Sequence, residues 1–239
     1  MSTLGGPKAI TSGLIFTLDA ADRISYPGTG TSWIDVSGNG RVGTLNNGVT
    51  YTNERSGTLV FDGTNDYVSI PFSNALNNCT IEMMFKATSA SALVYILGLS
   101  NAGSSTNSFQ INMNDGSTIY AFWNSDGNPL SYVSKTGSNG SYSDYTDSTW
   151  RHYVFTRNTS TTTNHFMNGV QVPNSLVTRV GDQTTQFGGN GFTLNIGTRR
   201  QADTFFFVGN IAVVRIYNRE LSAAEVQQNY NSLRGRYGI

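Results

Sequence analysis

The chain has 239 residues, of which only 13% are Asp, Glu, Lys or Arg, about half the usual share. Fifteen basic and fifteen acidic residues cancel to a formal net charge of zero, so there is no broad cationic field to hold phosphate backbones or anionic lipid, and a nucleic-acid role is disfavoured. Area scalings for a chain of this mass imply that about 72% of its surface is buried on folding, enough for one large core, and hydrophobic residues at 38% together with 26 glycines exclude global disorder.

The opening run Met1-Ser2-Thr3-Leu4-Gly5-Gly6-Pro7-Lys8 has no apolar stretch behind a basic end, and no window approaches 18 apolar residues. The expectation is neither a signal peptide nor membrane insertion. Residues 1–12 are expected to form an N-terminal arm that contacts a partner, and 13–239 a single domain. Strands are expected, in chain order, at Leu14 to Asp19, Leu59 to Asp62 and Tyr67 to Ile70. In Thr80 to Lys86, Ile81, Met83 and Phe85 alternate with Glu82, Met84 and Lys86, the period-two signature of a half-buried strand. On that pattern Glu82 faces solvent. Leu93 to Leu99 follows; then Phe109, Ile111 and Met113 repeat the alternation, and Asp115-Gly116 supplies a tight turn into Thr118 to Trp123. Ser/Gly/Asn-rich stretches at 100–108 and 137–147 read as loops, with Tyr142 and Tyr145 placed for exposure.

Trp150 to Arg157 is the next strand. Asn168-Gly169, between His165 and Val172, predicts a hairpin through a type I′ turn. Strands at Phe192 to Gly197 and Asn210 to Tyr217 precede one short C-terminal helix: Ser222 caps it, Glu225 completes a capping box, Val226, Tyr230 and Leu233 form its apolar stripe, and Gly235 ends it. Short strands at this spacing indicate an all-β sandwich of two antiparallel sheets.

Four stretches carry a resemblance: Leu59-Val60-Phe61-Asp62-Gly63-Thr64-Asn65-Asp66-Tyr67-Val68; Thr80 to Phe85; Trp150 to Val154 with His165 to Val170; and Gly209 to Ser222. Together they resemble the laminin-G-like, concanavalin A-like lectin/glucanase jelly-roll domain, over about Ser12 to Leu233. The resemblance implies that the first strand lies beside the last. Gly13 to Asp22, with Trp33 to Gly40, is similar to the versions found in structural proteins of tailed bacteriophages. That likeness implies a virion surface protein, a decoration or fibre-type subunit, with other virion proteins (capsid or tail), further copies of itself and host glycans as partners. A soluble glycan-binding lectin-like module and a glycoside hydrolase of the same fold are the alternatives.

The hydrolase alternative needs paired carboxylates, yet Glu54, Glu82, Glu220 and Glu225 each lack an acidic partner at strand spacing. His152 and His165 sit in β segments beside aromatics and read as packed, hydrogen-bonded imidazoles, so no catalytic residue is assigned and the protein is read as no enzyme. The lone Cys79 reads as a small buried hydrophobe. Asp62 and Asp66 flank a Gly-Thr-Asn turn; they are a candidate structural calcium site, or simply acceptors for the turn's amides. Relatives often carry an acid where this chain has Ala212. Tyr120, Trp123, Asn124, Asp126 and Tyr132 cluster around one hairpin as a candidate glycan platform of aromatic faces and polar partners. Trp33 and Trp150 read as packing residues. Phe205-Phe206-Phe207-Val208 breaks alternation, which fits either a helix-covered strand or a subunit contact, and Phe205, Phe206 and Phe207 are assigned to the second, an interface with a neighbouring protein.

Overall fold

A computed structural model of the chain describes residues 7–88, 93–101, 104–114, 118–123, 132–136, 145–158, 163–180, 186–199 and 205–239, with backbone alone for 104–107, 123, 132–136 and 178–180. In chain order the strands are β1 (Leu14–Asp19), β2 (Ser32–Ile34), β3 (Val42–Asn46), β4 (Thr50–Thr52), β5 (Thr58–Asp62), β6 (Tyr67–Pro71), β7 (Ala75–Leu76), β8 (Cys79–Ala87), β9 (Val94–Asn101) and β10 (Ser104–Asn114). They continue with β11 (Thr118–Trp123), β12 (Tyr132–Thr136), β13 (Arg151–Arg157), β14 (Thr163–Met167), β15 (Val170–Gln171), β16 (Thr178–Val180), β17 (Phe187–Gly188), β18 (Phe192–Ile196) and β19 (Val208–Tyr217), and the chain closes with α1 (Ala223–Tyr237).

Two antiparallel sheets form the sandwich. One runs β15-β14-β13-β8-β19-β5-β4, with β1 also pairing β19, and the other runs β16-β12-β11-β10-β9-β18-β6-β3-β2. β19 is the organising strand. One edge is shared by β5, through Val208 to Ile211, and β1, through Val213 to Tyr217, while β8 pairs along the whole of the other edge. The first strand therefore does lie beside the last. Alternation sends Phe109, Ile111 and Met113 into the same core as Ile81, Met83, Phe85 and Phe155 from the opposite sheet. Phe109 stacks on Phe187 at 4.6 Å between ring centroids and tilts against Phe155 at 5.4 Å. The hairpin at Asn168-Gly169 has both residues at positive φ, 51° and 78°, as a type I′ turn demands.

The helix forms a third layer on the outer face of the eight-stranded sheet. Ser222 Oγ accepts the Glu225 amide, Glu225 accepts the Ser222 amide in return, and Arg219 clamps the same carboxylate at 2.6 Å. Gly235 does not end the helix: it runs on to Tyr237, and Gly238, in the left-handed region at φ 72°, supplies the C-cap. Leu233 and Tyr237 pack on Met84, Trp150, Ala212 and Val213, while Val226 packs with Val154, Phe166 and Tyr217. Glu82 is consequently not a solvent-face residue; its outward direction points under a roof, and it is fully buried.

The described part of the arm lies on the same roof. Asn229 Oδ1 accepts the Ile10 amide at 2.8 Å, the Tyr217 hydroxyl donates to the Ile10 carbonyl, and Gln228 donates to the Lys8 carbonyl. The backbone of Lys8 and Ile10 is thus engaged within its own chain. No helix among the described residues is long and apolar enough to cross a membrane.

Candidate functional site

The opposite outer face, that of the nine-stranded sheet, carries no α-helix among the described residues and holds a groove of about 340 Å³ lined by Leu93, Tyr95, Asn112, Asn114, Tyr120, Phe122 and Arg199. Its floor follows from the same alternation that builds the core: where Ile111 and Met113 point in, Asn112 and Asn114 point out. Asn112 pairs with Tyr120 on β11 and with Tyr95 on β9, so one cross-strand row reads Tyr-Asn-Tyr. Gln110 pairs with Phe122 one step along.

Tyr95 reaches that row through an irregularity. Leu97 pairs with Ile111 and Tyr95 with Asn112, which leaves Ile96 as an extra residue on β9. This β-bulge puts Ile96 and Leu97 together in the core and inverts the phase beyond them, so that Val94 turns in and Tyr95 turns out. A loop then docks on the bulge. The Ile96 carbonyl accepts the Gly197 amide at 2.8 Å, the Gly197 carbonyl accepts the Phe207 amide, and the Tyr95 amide donates to the Phe205 carbonyl at 3.1 Å. Arg199, two residues beyond Gly197, forms one wall of the groove, with its guanidinium carbon 4.9 Å from the Tyr95 ring centroid.

Of the expected platform, Tyr120 lines the groove, half-buried. Trp123 and Tyr132 are register partners on the adjacent strands β11 and β12, and Trp123 is also the register partner of Phe109 on β10; their side chains lie outside the described residues, as do Asn124 and Asp126 altogether. Tyr95, Asn112, Asn114, Phe122 and Arg199 were not anticipated. The alternation of β10 signalled the two asparagines; nothing local signalled Arg199, which comes from a distant loop.

Residues 62–227 match the model of the third laminin-G family of the concanavalin A-like lectin/glucanases superfamily. The chain belongs to that superfamily. No curated protein sequence matches the chain. Among solved structures, this laminin-G-like chain is similar to the botulinum neurotoxin type G receptor binding domain, at 18% identity and TM-score 0.66 over 92% of this chain and 51% of that one. It is also similar to the botulinum neurotoxin serotype D ligand binding domain solved with N-acetylneuraminic acid (16% identity, TM-score 0.69, 92% and 51% covered) and to the receptor binding domain of botulinum neurotoxin D (15%, 0.69, 93% and 53%). The chain spans about half the length of these structures, and at such identities the likeness concerns the fold, a lectin-like jelly roll.

The other candidate residues of this laminin-G-like domain fall elsewhere. Asp62 Oδ1 accepts the amides of Thr64 and Asn65, and Asp66 Oδ2 accepts the amide of Asp62. Both carboxylates therefore serve the turn. No group of three or more metal-ligating side chains occurs among the described residues. Phe207 is fully buried, edge-on to Phe61 and Phe85, and Phe206 is 8% exposed against Tyr67, so neither offers the interface surface expected of it. Phe205 alone is exposed, at 38%, and it edges Tyr95. Alternation fails at this run because β19 begins only at Val208. Tyr145 is likewise buried, beneath the Arg151 guanidinium, rather than exposed. His152 and His165 are buried and hydrogen-bonded, to Glu82 at 3.0 Å and to the Tyr153 hydroxyl at 2.7 Å. Cys79 is buried, which pushes its thiol up to about 12.

Proposed function

We propose that the protein is a non-enzymatic glycan-binding module whose site is the groove on the outer face of the nine-stranded sheet. The observation that carries this reading is the convergence of the half-buried rings of Tyr120 and Phe122 with the amides of Asn112 and Asn114 on one concavity. Ring faces bury the apolar face of a pyranose, while amides donate to and accept from its hydroxyls. The described lining holds no carboxylate, whereas glycoside hydrolysis calls for two acids roughly 5 to 9.5 Å apart; this supports binding without cleavage. The test is a glycan array followed by calorimetry with Tyr120→Ala and Asn112→Ala. Both variants lose binding at unchanged melting temperature, and binding that survives both refutes the assignment.

The finer reading is a tailed-bacteriophage virion surface protein, a decoration or fibre-type subunit attached to other virion proteins and touching host glycans. It rests on the likeness of Gly13 to Asp22 and Trp33 to Gly40 to phage structural proteins, and on a net charge of zero, which favours association over colloidal repulsion. Mass spectrometry of purified particles detects the chain if this is right. Its absence from particles, with glycan binding intact, leaves a soluble lectin-like module.

A further inference from the structure

We infer that the groove selects glycans bearing an acidic sugar, with Arg199 as the residue that reads the acid and Gly98 as the residue that positions Arg199. This rests on the groove being the glycan site.

Three observations carry it. The backbone of Arg199 lies directly over Gly98 on the sheet floor: a Cβ there would stand 2.3 Å from the Arg199 carbonyl oxygen and 2.5 Å from its Cα, closer than atoms approach. The same carbonyl accepts the Asn195 side-chain amide at 3.4 Å and the Ser100 hydroxyl at 3.5 Å, so one residue each of β18 and β9 holds the Arg199 backbone where only a glycine leaves room. The Arg199 side chain then rests on Tyr95, a ring only 4% exposed and braced by Phe205. An arginine stacked on an aromatic ring surrenders little further entropy on binding and carries a planar fork of donors that matches a carboxylate in bidentate fashion.

The electrostatics agree. Arg199 is the single charged residue in the described lining, and a chain of zero net charge supplies no diffuse attraction for polyanions. Charge-assisted hydrogen bonds outweigh neutral ones enough to give a preference of about tenfold or more.

The experiment pairs ligands that differ by the acid: trigalacturonate against maltotriose, and 3′-sialyllactose against lactose, with dextran sulfate as a polyanion control, each titrated by calorimetry. In at least one pair the acidic member binds about tenfold tighter. Arg199→Gln collapses that ratio toward one, Arg199→Lys restores part of it, and Gly98→Ala, checked by circular dichroism for an intact fold, behaves like Arg199→Gln. Tyr120→Ala weakens both members of every pair. Equal affinity for acidic and neutral sugars, both abolished by Tyr120→Ala, overturns the inference and leaves the groove reading standing. Binding of dextran sulfate that ignores Arg199→Gln and Tyr120→Ala marks non-specific polyanion attachment and overturns it too. A Gly98→Ala variant that keeps the full ratio removes Gly98 from the argument, and failure of every sugar to bind overturns the inference together with the reading beneath it.

Discussion

Glu82→Gln is the most informative single substitution away from the groove. The carboxylate sits beneath α1 with no exposure; Oε1 accepts from Arg215 Nη1 at 2.9 Å and His152 Nε2 at 3.0 Å, and Oε2 accepts from Asn229 Nδ2 at 2.7 Å. Burial alone would raise its pKa, but Arg215, His152 and Asn229 outweigh burial and hold it at about 2 instead of the ordinary 4.5. That difference, 4.5 less about 2, corresponds to stabilisation on the order of 3 kcal/mol at neutral pH. Gln keeps the shape but leaves Arg215 buried without a counter-charge and sets an amide donor against Asn229, so the expected loss at pH 7 is about 3–5 kcal/mol. Urea unfolding at a series of pH values reads it. The unfolded chain takes up the proton near pH 4.5 and the folded chain only near 2, so Glu82's contribution is complete above 4.5 and is lost as pH falls toward 2. The gap between wild type and Glu82→Gln therefore narrows over that window. Adding Arg215→Met recovers part of the loss, because the uncompensated cation has gone. A gap below about 1 kcal/mol at pH 7, or one that stays constant down to pH 2, refutes the reasoning.

Phe207→Ala empties a fully buried site between Phe61 and Phe85 and costs about 3–5 kcal/mol, whereas Phe205→Ala, at 38% exposure, costs less than about 1 kcal/mol; comparable melting temperatures for the two would contradict this packing. Gly209 has φ 139° and faces the Lys86 carbonyl, which a Cβ would approach to 2.2 Å, so Gly209→Ala destabilises β19 by about 3 kcal/mol or more, measured by chemical unfolding; a variant as stable as wild type would show that the strand can yield there. With its thiol pushed up to about 12, Cys79 stays unmodified by an aromatic disulfide reagent at pH 8 until denaturant is added, and rapid labelling of the native protein would be inconsistent with this burial.

Legibility in the sequence differs from strand to strand. Where apolar and polar residues alternate cleanly, as in Phe109 to Asn114, pattern alone places both the core face and the asparagines of the groove. The capping box at Ser222 and Glu225 likewise announces the helix, because both partners lie within four residues. Pattern fails where a third element redefines what outward means. Glu82 and Met84 alternate correctly with Ile81, Met83 and Phe85, yet α1, some 140 residues later, turns their solvent face into an interior. Nothing within β8 carries that information.

The groove was hidden for a different reason, which concerns phase. In Val94-Tyr95-Ile96-Leu97 every residue is apolar or aromatic, so the run has no polar beat from which a bulge could be detected. Strict alternation from Leu97 sends Tyr95 into the core; one unpaired residue, Ile96, sends it out to join Asn112 and Tyr120. The bulge also frees the Ile96 carbonyl for Gly197, and that bond lands the loop whose next residues bring Arg199 over Gly98 and Tyr95. A single departure from sheet geometry thus orients one wall residue and seats the loop that carries another. The regular strands supply a rigid floor, and the site's distinguishing chemistry enters where regularity lapses. Local pattern therefore finds the core of such a sandwich more readily than the groove on its outer face.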